Sequence, residues 1–320
     1  MIATQHSVQG FRAVPWTMLR RSFLYFPALP ALLRAQDSRR TLTPLQALQS
    51  NIERITRSVN AKWGIYIKCL ETQEQIAIDA DQQMDTMSVI KIPLMVEAFR
   101  QIEAGNFKLS DRITLRNEDK RPGTGVIRSL DEGVQLTVND LLTLMIIVSD
   151  NTATDLVYRQ VGGIEPVNAL MKDYGLNQTR ATGEAKIWFD ALHAAPSAAE
   201  FHREGRHPFG LSSPRDIGKL LERIKTGQAV NQRASDQMLA MMRGQVYRTR
   251  LPKYVTNFNI PHKTGDFLPY IGNDVGIFES ERHNIVVSVF TANHFGEGAE
   301  LEDAIGRIGR QVAEYYTYRG

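Results

Sequence analysis

Disulfides, membrane-spanning runs and an excess of one charge are all missing from this sequence. Its single cysteine, Cys69, has no partner in the chain, and the alternating apolar residues around it predict a buried thiol without a catalytic role. No stretch reaches the roughly 18 unbroken apolar residues of a membrane helix. The 38 basic and 35 acidic residues leave a net charge of +3, without the basic excess typical of nucleic-acid-binding proteins. These absences exclude a disulfide scaffold, a membrane-embedded protein and a nucleic-acid-binding protein.

Histidine is also scarce, with seven residues in the chain. His193, His202 and His207 occur close together, but their spacing lacks the i, i+4 pair of helical zinc sites. The sequence therefore predicts no metal ion, and no pattern suggests another cofactor. The 320 residues are enough to bury a large core without such support.

The N-terminus has the features of an export signal. Arg20 and Arg21 precede a short apolar run over 23–33, and small residues follow it. The paired arginines resemble the twin-arginine type of signal. An amphipathic or disordered tail is the alternative. We therefore expect residues 1–36 to direct export, and residues 37–320 to form one soluble domain in the periplasm or outside the cell.

Periodic patterns predict an α+β fold. Apolar residues at helical spacing predict helices over 45–59, 88–104, 137–148, 214–225, 231–243 and 301–316. Alternation predicts strands over 63–70, 75–80, 259–264, 274–279 and 284–291. Because the strands come from both ends of the chain, we expect one antiparallel sheet with helices on its faces, not a parallel doubly wound sheet. Residues 180–211 show no clear period and predict a long loop.

Ser88 and Lys91 are the first candidate catalytic pair. Residues three apart on a helix share a face, so the hydroxyl and the amine can meet. A serine hydroxyl needs an adjacent base, and a lysine desolvated by apolar neighbours can lose its proton and act as one. A helix start would also place the Ser88 backbone N–H where it can stabilise an oxyanion. A capping serine beside a surface lysine is the alternative for this pair alone.

Two further motifs contain residues of the same chemistry. Ser149-Asp150-Asn151 falls in a tight link between two predicted helices, where an ordinary capping turn is the alternative. Lys-Thr-Gly occurs twice in the chain. At 225–227 it ends a helix, where lysine and glycine are common capping residues. At 263–265 it ends a strand, where a glycine lets a ligand lie along the backbone, so we assign function to the second copy.

In this order and spacing, the three motifs resemble those of class A β-lactamases and related penicillin-binding serine hydrolases. The resemblance implies a layered β-lactamase-like fold with an all-helical subdomain, and a monomer that acts on β-lactams or on peptidoglycan-like peptides. It also implies that Ser88 is acylated, that Lys91 is its base or a proton relay, and that Ser149 protonates the departing nitrogen.

The resemblance further implies which residues bind the substrate. Asn151 would bind its side-chain amide, Lys263 would hold positive potential near the second motif, and Thr264 would bind its carboxylate. Gly265 would lie along the substrate. The backbone N–H of Asp266, with that of the nucleophile, would form the oxyanion hole.

Deacylation is the step at which this sequence departs from the family. Class A enzymes activate the water with the glutamate of a Glu-x-x-x-Asn loop, and Glu184 occurs near the expected place. Trp188 stands where the asparagine is expected, so Glu184 is a candidate base without its partner, and a solvated loop carboxylate is the alternative. Asp266 brings negative charge towards an anionic substrate. We expect Arg248 and Arg250 either to offset this charge or to bind a carboxylate bidentately.

Three functions remain open at this point. The motifs favour a β-lactamase, with Glu184 as the candidate base for hydrolysis. The altered loop favours a DD-peptidase or esterase that turns β-lactams over slowly. A non-catalytic binding protein is disfavoured, because four polar side chains converging in one cleft cost free energy unless they are paired.

Overall fold

The structure, a computed structural model, describes residues 42–205 and 208–318. The predicted export signal lies outside these residues. Within them, the α-helices in chain order are α1 Pro44–Arg57, α2 Lys91–Glu103, α3 Val138–Ile147, α4 Asn151–Val161, α5 Ile164–Asp173, α6 Ala185–Ala194, α7 Ala198–Glu204, α8 Pro214–Lys225, α9 Gln232–Arg243 and α10 Gly298–Thr317. The strands are β1 Lys62–Cys69, β2 Gln75–Ile78, β3 Met84–Asp85, β4 Arg112–Thr114, β5 Gln135–Thr137, β6 Arg180–Ala181, β7 Gly210–Ser212, β8 His262–Phe267, β9 Ile271–Glu279 and β10 Asn284–Ala292.

Five strands form the main antiparallel sheet, in the order β2-β1-β10-β9-β8. β1 and β2 come from the first part of the described chain, and β8 to β10 come from its last part. β1 pairs with β10 along its whole length, from Lys62 opposite Ala292 to Cys69 opposite Ile285. The predicted α+β class and the sheet built from both chain ends are therefore confirmed.

Alternating residues of the central strand β10 divide the core into two apolar clusters. Val287 and Val289 join the cluster that α1 and α10 cover. Val286 and Phe290 join the other cluster, which includes the buried side of α8 and the helical region. Side chains of a strand alternate between the two faces of its sheet, so helices cover both faces.

The helical region is centred on α2, which is buried almost throughout and contacts α3, α4, α5 and α9. A helix buried on all sides needs apolar residues around its whole circumference, as α2 has from Ile92 to Phe99. The predicted capping box at the start of α3 is present, since Thr137 and Asp140 each bind the other's backbone N–H. No helix within residues 42–205 and 208–318 is both long and apolar enough to cross a bilayer.

The segment over 180–211 differs most from the prediction. It was expected to be a loop, and this was wrong, because it contains β6, α6, α7 and the start of β7. The helices α6 and α7 have 10 and 7 residues, too few for a clear period to emerge. Their inner faces are fixed by Trp188 and Phe201, which pack edge-on at 5.2 Å between ring centroids.

Candidate active site

Ser88 lies in a short 3-10 turn, Met87–Ile90, and α2 begins only at Lys91. The prediction that Ser88 begins the α-helix was therefore wrong by one turn. Met87 has the left-handed φ of +44°, rare for a residue with a side chain, and its N–H donates to Asp85 Oδ1 at 2.8 Å. Within the described residues the Ser88 hydroxyl has no hydrogen-bond partner, so it is free to react in the cleft.

Lys91 is fully buried directly after this turn. Its Nζ donates to Ser149 O at 2.7 Å, to Asn151 Oδ1 at 3.0 Å and to Ser149 Oγ at 3.1 Å. Burial lowers the pKa of Lys91 well below its ordinary 10.5, and the charge of Lys263 lowers it further. A lysine in this setting can accept a proton near neutral pH.

Ser149 stands in a backbone conformation with the left-handed φ of +57°, in the tight link between α3 and α4. Its carbonyl oxygen accepts hydrogen bonds from Lys91 and from Thr124 Oγ1, the latter at 2.7 Å. Asp150 caps α4, since its Oδ1 accepts the Ala153 N–H at 2.9 Å. The capping interpretation of this motif is therefore right for Asp150, while Ser149 faces two lysines.

Lys263 brings the second lysine to the same hydroxyl. Its Nζ donates to Ser149 Oγ at 3.0 Å and to Thr264 O at 2.9 Å. Burial lowers the pKa of Lys263 to about 7. Because both lysines donate to Ser149 Oγ, its two lone pairs are engaged and its own hydrogen points elsewhere. The Ser149 hydroxyl is thus arranged to donate a proton into the cleft.

Gly265 lets the terminal strand β8 lie directly against the nucleophile turn. A Cβ built on Gly265 would lie 2.4 Å from Thr86 O and 3.2 Å from Ser88 N, so any side chain would push the turn away. The next residue, Asp266, continues the strand alongside the turn. The structure thus brings the Lys263-Thr264-Gly265 motif next to the backbone of Ser88, as expected if both belong to one active site.

Asn151 and Thr264 also lie in this cleft. Besides accepting from Lys91, the Asn151 amide donates from Nδ2 to Pro122 O at 3.0 Å, which fixes its orientation. The Thr264 hydroxyl is buried and has no partner among the described residues. A buried hydroxyl without a partner is available to a ligand.

The negative charge of Asp266 is offset as expected, but by Arg250 only. The Arg250 guanidinium, 3% exposed, pairs with the Asp266 carboxylate and also donates to Asn273 O at 2.9 Å and to Glu302 Oε1 at 3.1 Å. Arg248 is exposed and takes no part in this cluster. Both arginines were chosen only because they lie near Asp266 in the sequence, and this nearness could not show which of them pairs with it.

Replacing Arg250 with glutamine is expected to lower the free energy of unfolding by about 3 kcal/mol, because it leaves Asp266 without its buried partner. Denaturant unfolding measures the change. The matched substitution Arg248→Gln is expected to stay within about 0.5 kcal/mol of the parent, since Arg248 is exposed. Equal effects of the two substitutions would contradict the assignment of Arg250.

Glu184 forms no hydrogen bond or ion pair with Lys91, Ser149 or Lys263 within the described residues. Glu184 lies at the start of α6, beside a separate cavity of about 280 Å³ that also touches Arg121, Asp155 and Arg159. Burial raises the pKa of Glu184, and the carboxylate of Asp155 raises it further. Among the described residues no carboxylate contacts Lys91, and the role of Glu184 as the general base stays a prediction.

Aromatic residues occupy the place beside Lys91 instead. The ring of Phe209 lies 5.9 Å from Lys91 Nζ, and Trp188 packs against it at 5.9 Å between ring centroids. Sequence reasoning missed Phe209, because it lies in the segment without a clear period. It also missed Asp85, which holds the backbone of both Met87 and Phe209. No pattern in the sequence marks either residue.

His202, one of the three histidines that lie close together in the sequence, forms an aromatic and a polar contact. Its ring stacks on Tyr270 at 5.1 Å, and its Nε2 lies 3.1 Å from Asn293 Oδ1. Within the part of the chain that the structure describes, no group of three or more histidine, cysteine or acidic side chains is placed to hold a metal ion. His207 lies outside that part.

A reactive serine, a buried lysine of lowered pKa and a second serine held between two lysines together define a serine hydrolase that works by acyl transfer. The model of the family described as the Beta-lactamase enzyme family matches residues 47–316. The chain belongs to this family, and it is a serine β-lactamase-type hydrolase. The predicted resemblance is thereby confirmed.

Individual relatives cover most of the chain. The beta-lactamase of Streptomyces albus G is 26% identical over 272 residues, which are 81% of this chain and 82% of the relative. The crystal structure of a beta-lactamase from Sphaerobacter thermophilus is similar with a TM-score of 0.74 at 30% identity, over 85% of this chain and 96% of that one.

Another similar structure is that of a protein named PBP-A. It has a TM-score of 0.74 at 25% identity, and the match covers 86% of this chain and 98% of PBP-A. A variant of PBP-A was solved as an acyl-enzyme complex with penicillin G.

Proposed function

We propose that the protein hydrolyses the amide bond of β-lactams through an acyl-enzyme on Ser88. The observation that carries this proposal is the position of Lys91, buried one turn after the free Ser88 hydroxyl and bonded to Ser149 Oγ. The amine accepts the proton of Ser88, and the hydroxyl oxygen attacks the carbonyl carbon of the lactam. The backbone N–H groups of Ser88 and Asp266 stabilise the oxyanion.

The leaving nitrogen then receives a proton from Ser149. As the C–N bond breaks, the hydroxyl of Ser149 donates its hydrogen to the nitrogen and recovers one from Lys91 through their 3.1 Å hydrogen bond. The proton that left Ser88 thus ends on the substrate, and Lys91 is neutral again. Lys263 supplies positive charge on the other side of the same oxygen.

Substrate recognition follows the polar groups that line the same cleft. Lys263 and the unpartnered Thr264 hydroxyl hold the carboxylate of the substrate. Asn151, fixed by its bond to Pro122 O, binds the side-chain amide. Gly265 keeps β8 directly against the nucleophile turn, so its backbone lies along the substrate that Ser88 attacks. We propose a monomer that needs no cofactor for this reaction.

Hydrolysis of the acyl-enzyme again requires a group that accepts a proton, this time from water. A water attacks the ester carbonyl and gives a proton to Lys91, which returns one to Ser88 Oγ as the ester bond breaks. The lack of a hydrogen bond between Glu184 and Lys91 among the described residues supports a second candidate function. In that alternative the protein is a DD-peptidase or esterase that is acylated by β-lactams and releases them slowly.

Turnover and protein mass, followed together, distinguish the two functions. The purified protein is mixed with a chromogenic cephalosporin and, separately, with a penicillin. Fast turnover with little covalent adduct supports the β-lactamase. A long-lived adduct with slow turnover supports the second candidate. Neither adduct nor turnover would contradict both.

Glu184→Gln is expected to change turnover by less than about threefold if Lys91 activates the water, because no hydrogen bond joins Glu184 to Lys91 among the described residues. Steady-state kinetics and the lifetime of the acyl-enzyme measure the effect. An adduct that persists in this variant but not in the parent would assign the water-activating role to Glu184 after all.

The two copies of Lys-Thr-Gly provide a matched pair of substitutions. Lys263→Met is expected to lower kcat/KM by about 100-fold, since it removes the charge beside Ser149 Oγ. Lys225→Met removes the equivalent lysine at the end of α8, where it pairs with Glu279 at 2.7 Å, and is expected to leave kcat/KM unchanged. Similar losses in both variants would contradict the choice of the second copy.

We further propose that residues 1–36 direct export and that residues 37–320 are the catalytic domain, in the periplasm or outside the cell. The support is the paired arginines and the apolar run after them. The mass of the protein recovered outside the cytoplasm tests the boundary, because removal of the signal leaves a chain that begins near Asp37. A protein that stays in the cytoplasm at full length would contradict export.

A further inference from the structure

A second cavity, of about 350 Å³, lies behind the nucleophile turn. Its inner wall is apolar and includes Trp188, Phe201, Phe267 and Ile271, and Asp85 lines it beside the turn. None of the residues assigned to the catalytic cleft lines this cavity. Its volume is within the range of small-molecule sites, and polar side chains make up about half of its lining.

Aromatic side chains form the apolar part of this wall. The Trp188 side chain is 6% exposed. Edge-on contacts with Phe201 and Phe267, each at 5.2 Å between ring centroids, hold its indole in place. A planar aromatic ligand can pack against such rings with the same geometry.

The rim of the cavity is cationic. Lys62 and Arg203 both line it, both are exposed, and neither forms an ion pair within the described residues. Arg203 instead lies over the ring of Phe295, at 5.2 Å. Asp85 is the one acidic residue that lines the cavity within the described residues, and its carboxylate oxygens already accept the N–H groups of Met87 and Phe209. An anionic group at the rim would meet two unpaired cations.

We propose that this cavity is a second ligand site, which binds a planar aromatic carboxylate. The ring lies among the side chains of Trp188, Phe201 and Phe267. The carboxylate lies at the rim with Lys62 and Arg203. This site does not depend on the function proposed for the cleft.

Isothermal titration calorimetry with 2-naphthoate tests the proposal on the full chain. We expect saturable binding at one site, and about fivefold weaker binding in the double variant Lys62→Gln/Arg203→Gln, whose changes are at exposed positions. The neutral amide of the same probe should lose affinity to a similar extent.

Two controls separate this site from others. Lys263→Met removes a cation of the cleft and should leave the affinity for the probe unchanged. Arg54→Gln/Arg310→Gln alters a groove between α1 and α10 and should also have no effect. No saturable binding at millimolar probe would overturn the proposal. Binding that weakens with Lys263→Met but not with the rim variant would overturn it too, by placing the probe in the cleft.

Discussion

Ser88→Ala is expected to lower β-lactam turnover by about 10⁴-fold or more, the size of loss seen when a catalytic nucleophile is removed. The Ser88 hydroxyl has no hydrogen-bond partner among the described residues, so its removal breaks no contact that supports the fold. The melting temperature should therefore remain that of the parent. Loss of turnover with an unchanged melting temperature is the combined result that identifies Ser88 as the reacting residue.

Ser129→Ala is the matched control for this substitution. Ser129 is also part of a 3-10 turn, Ile127–Ser129, but it is exposed. It should retain full turnover and full stability. Turnover by Ser88→Ala within tenfold of the parent would mean that another group attacks the lactam, and the acyl-enzyme on Ser88 would have to be abandoned.

Lys91→Met should have the next largest effect, a loss of about 10²–10⁴-fold in the acylation rate, because it removes the general base. Methionine is apolar and of similar length, so it can occupy the buried position. The variant leaves Ser149 O and Asn151 Oδ1 without the donor they share, so some stability is lost as well. Lys172→Met, at an exposed position of α5, is the control and should leave the acylation rate and the stability unchanged.

The pH dependence of acylation separates the base from a merely structural lysine. Burial lowers the pKa of Lys91, so the parent rate should rise with pH as the amine loses its proton, well below the range of an ordinary lysine. Burial also lowers the pKa of Lys263 to about 7, so the rate should fall above that pH as the charge beside the substrate carboxylate is lost. Lys91→Met should lose the rising limb and keep the falling one. A rising limb unchanged in Lys91→Met would exclude Lys91 as the base.

Much of the fold could be predicted because its signals are local. The strand β1 alternates apolar residues, β10 is apolar over most of its nine residues, and α3 begins at a capping box that the sequence shows directly. The cleft could be predicted because each motif places its residues within one turn or one strand. Lys91 and Lys263 then meet at Ser149 Oγ once the sheet and the helices pack together.

The place of Glu184 could not be read from its neighbours in sequence. It depends on Asp155, which accepts the Ala185 N–H at 2.8 Å and pairs with Arg121 at 2.6 Å, from positions about 30 residues away in either direction. These long-range contacts fix the start of α6, where Glu184 lies. The left-handed Met87 could not be foreseen either, because methionine rarely adopts that conformation without a tertiary contact such as its bond to Asp85.

The location of the acyl group tests the central claim most directly. The protein is mixed with penicillin G, quenched within seconds, digested, and its peptides are analysed by mass spectrometry. We predict one modified peptide, which contains Ser88 and has gained the mass of the whole penicillin, and no modified peptide in Ser88→Ala. A penicillin adduct on any other residue, or unmodified peptides together with no turnover, would contradict the account.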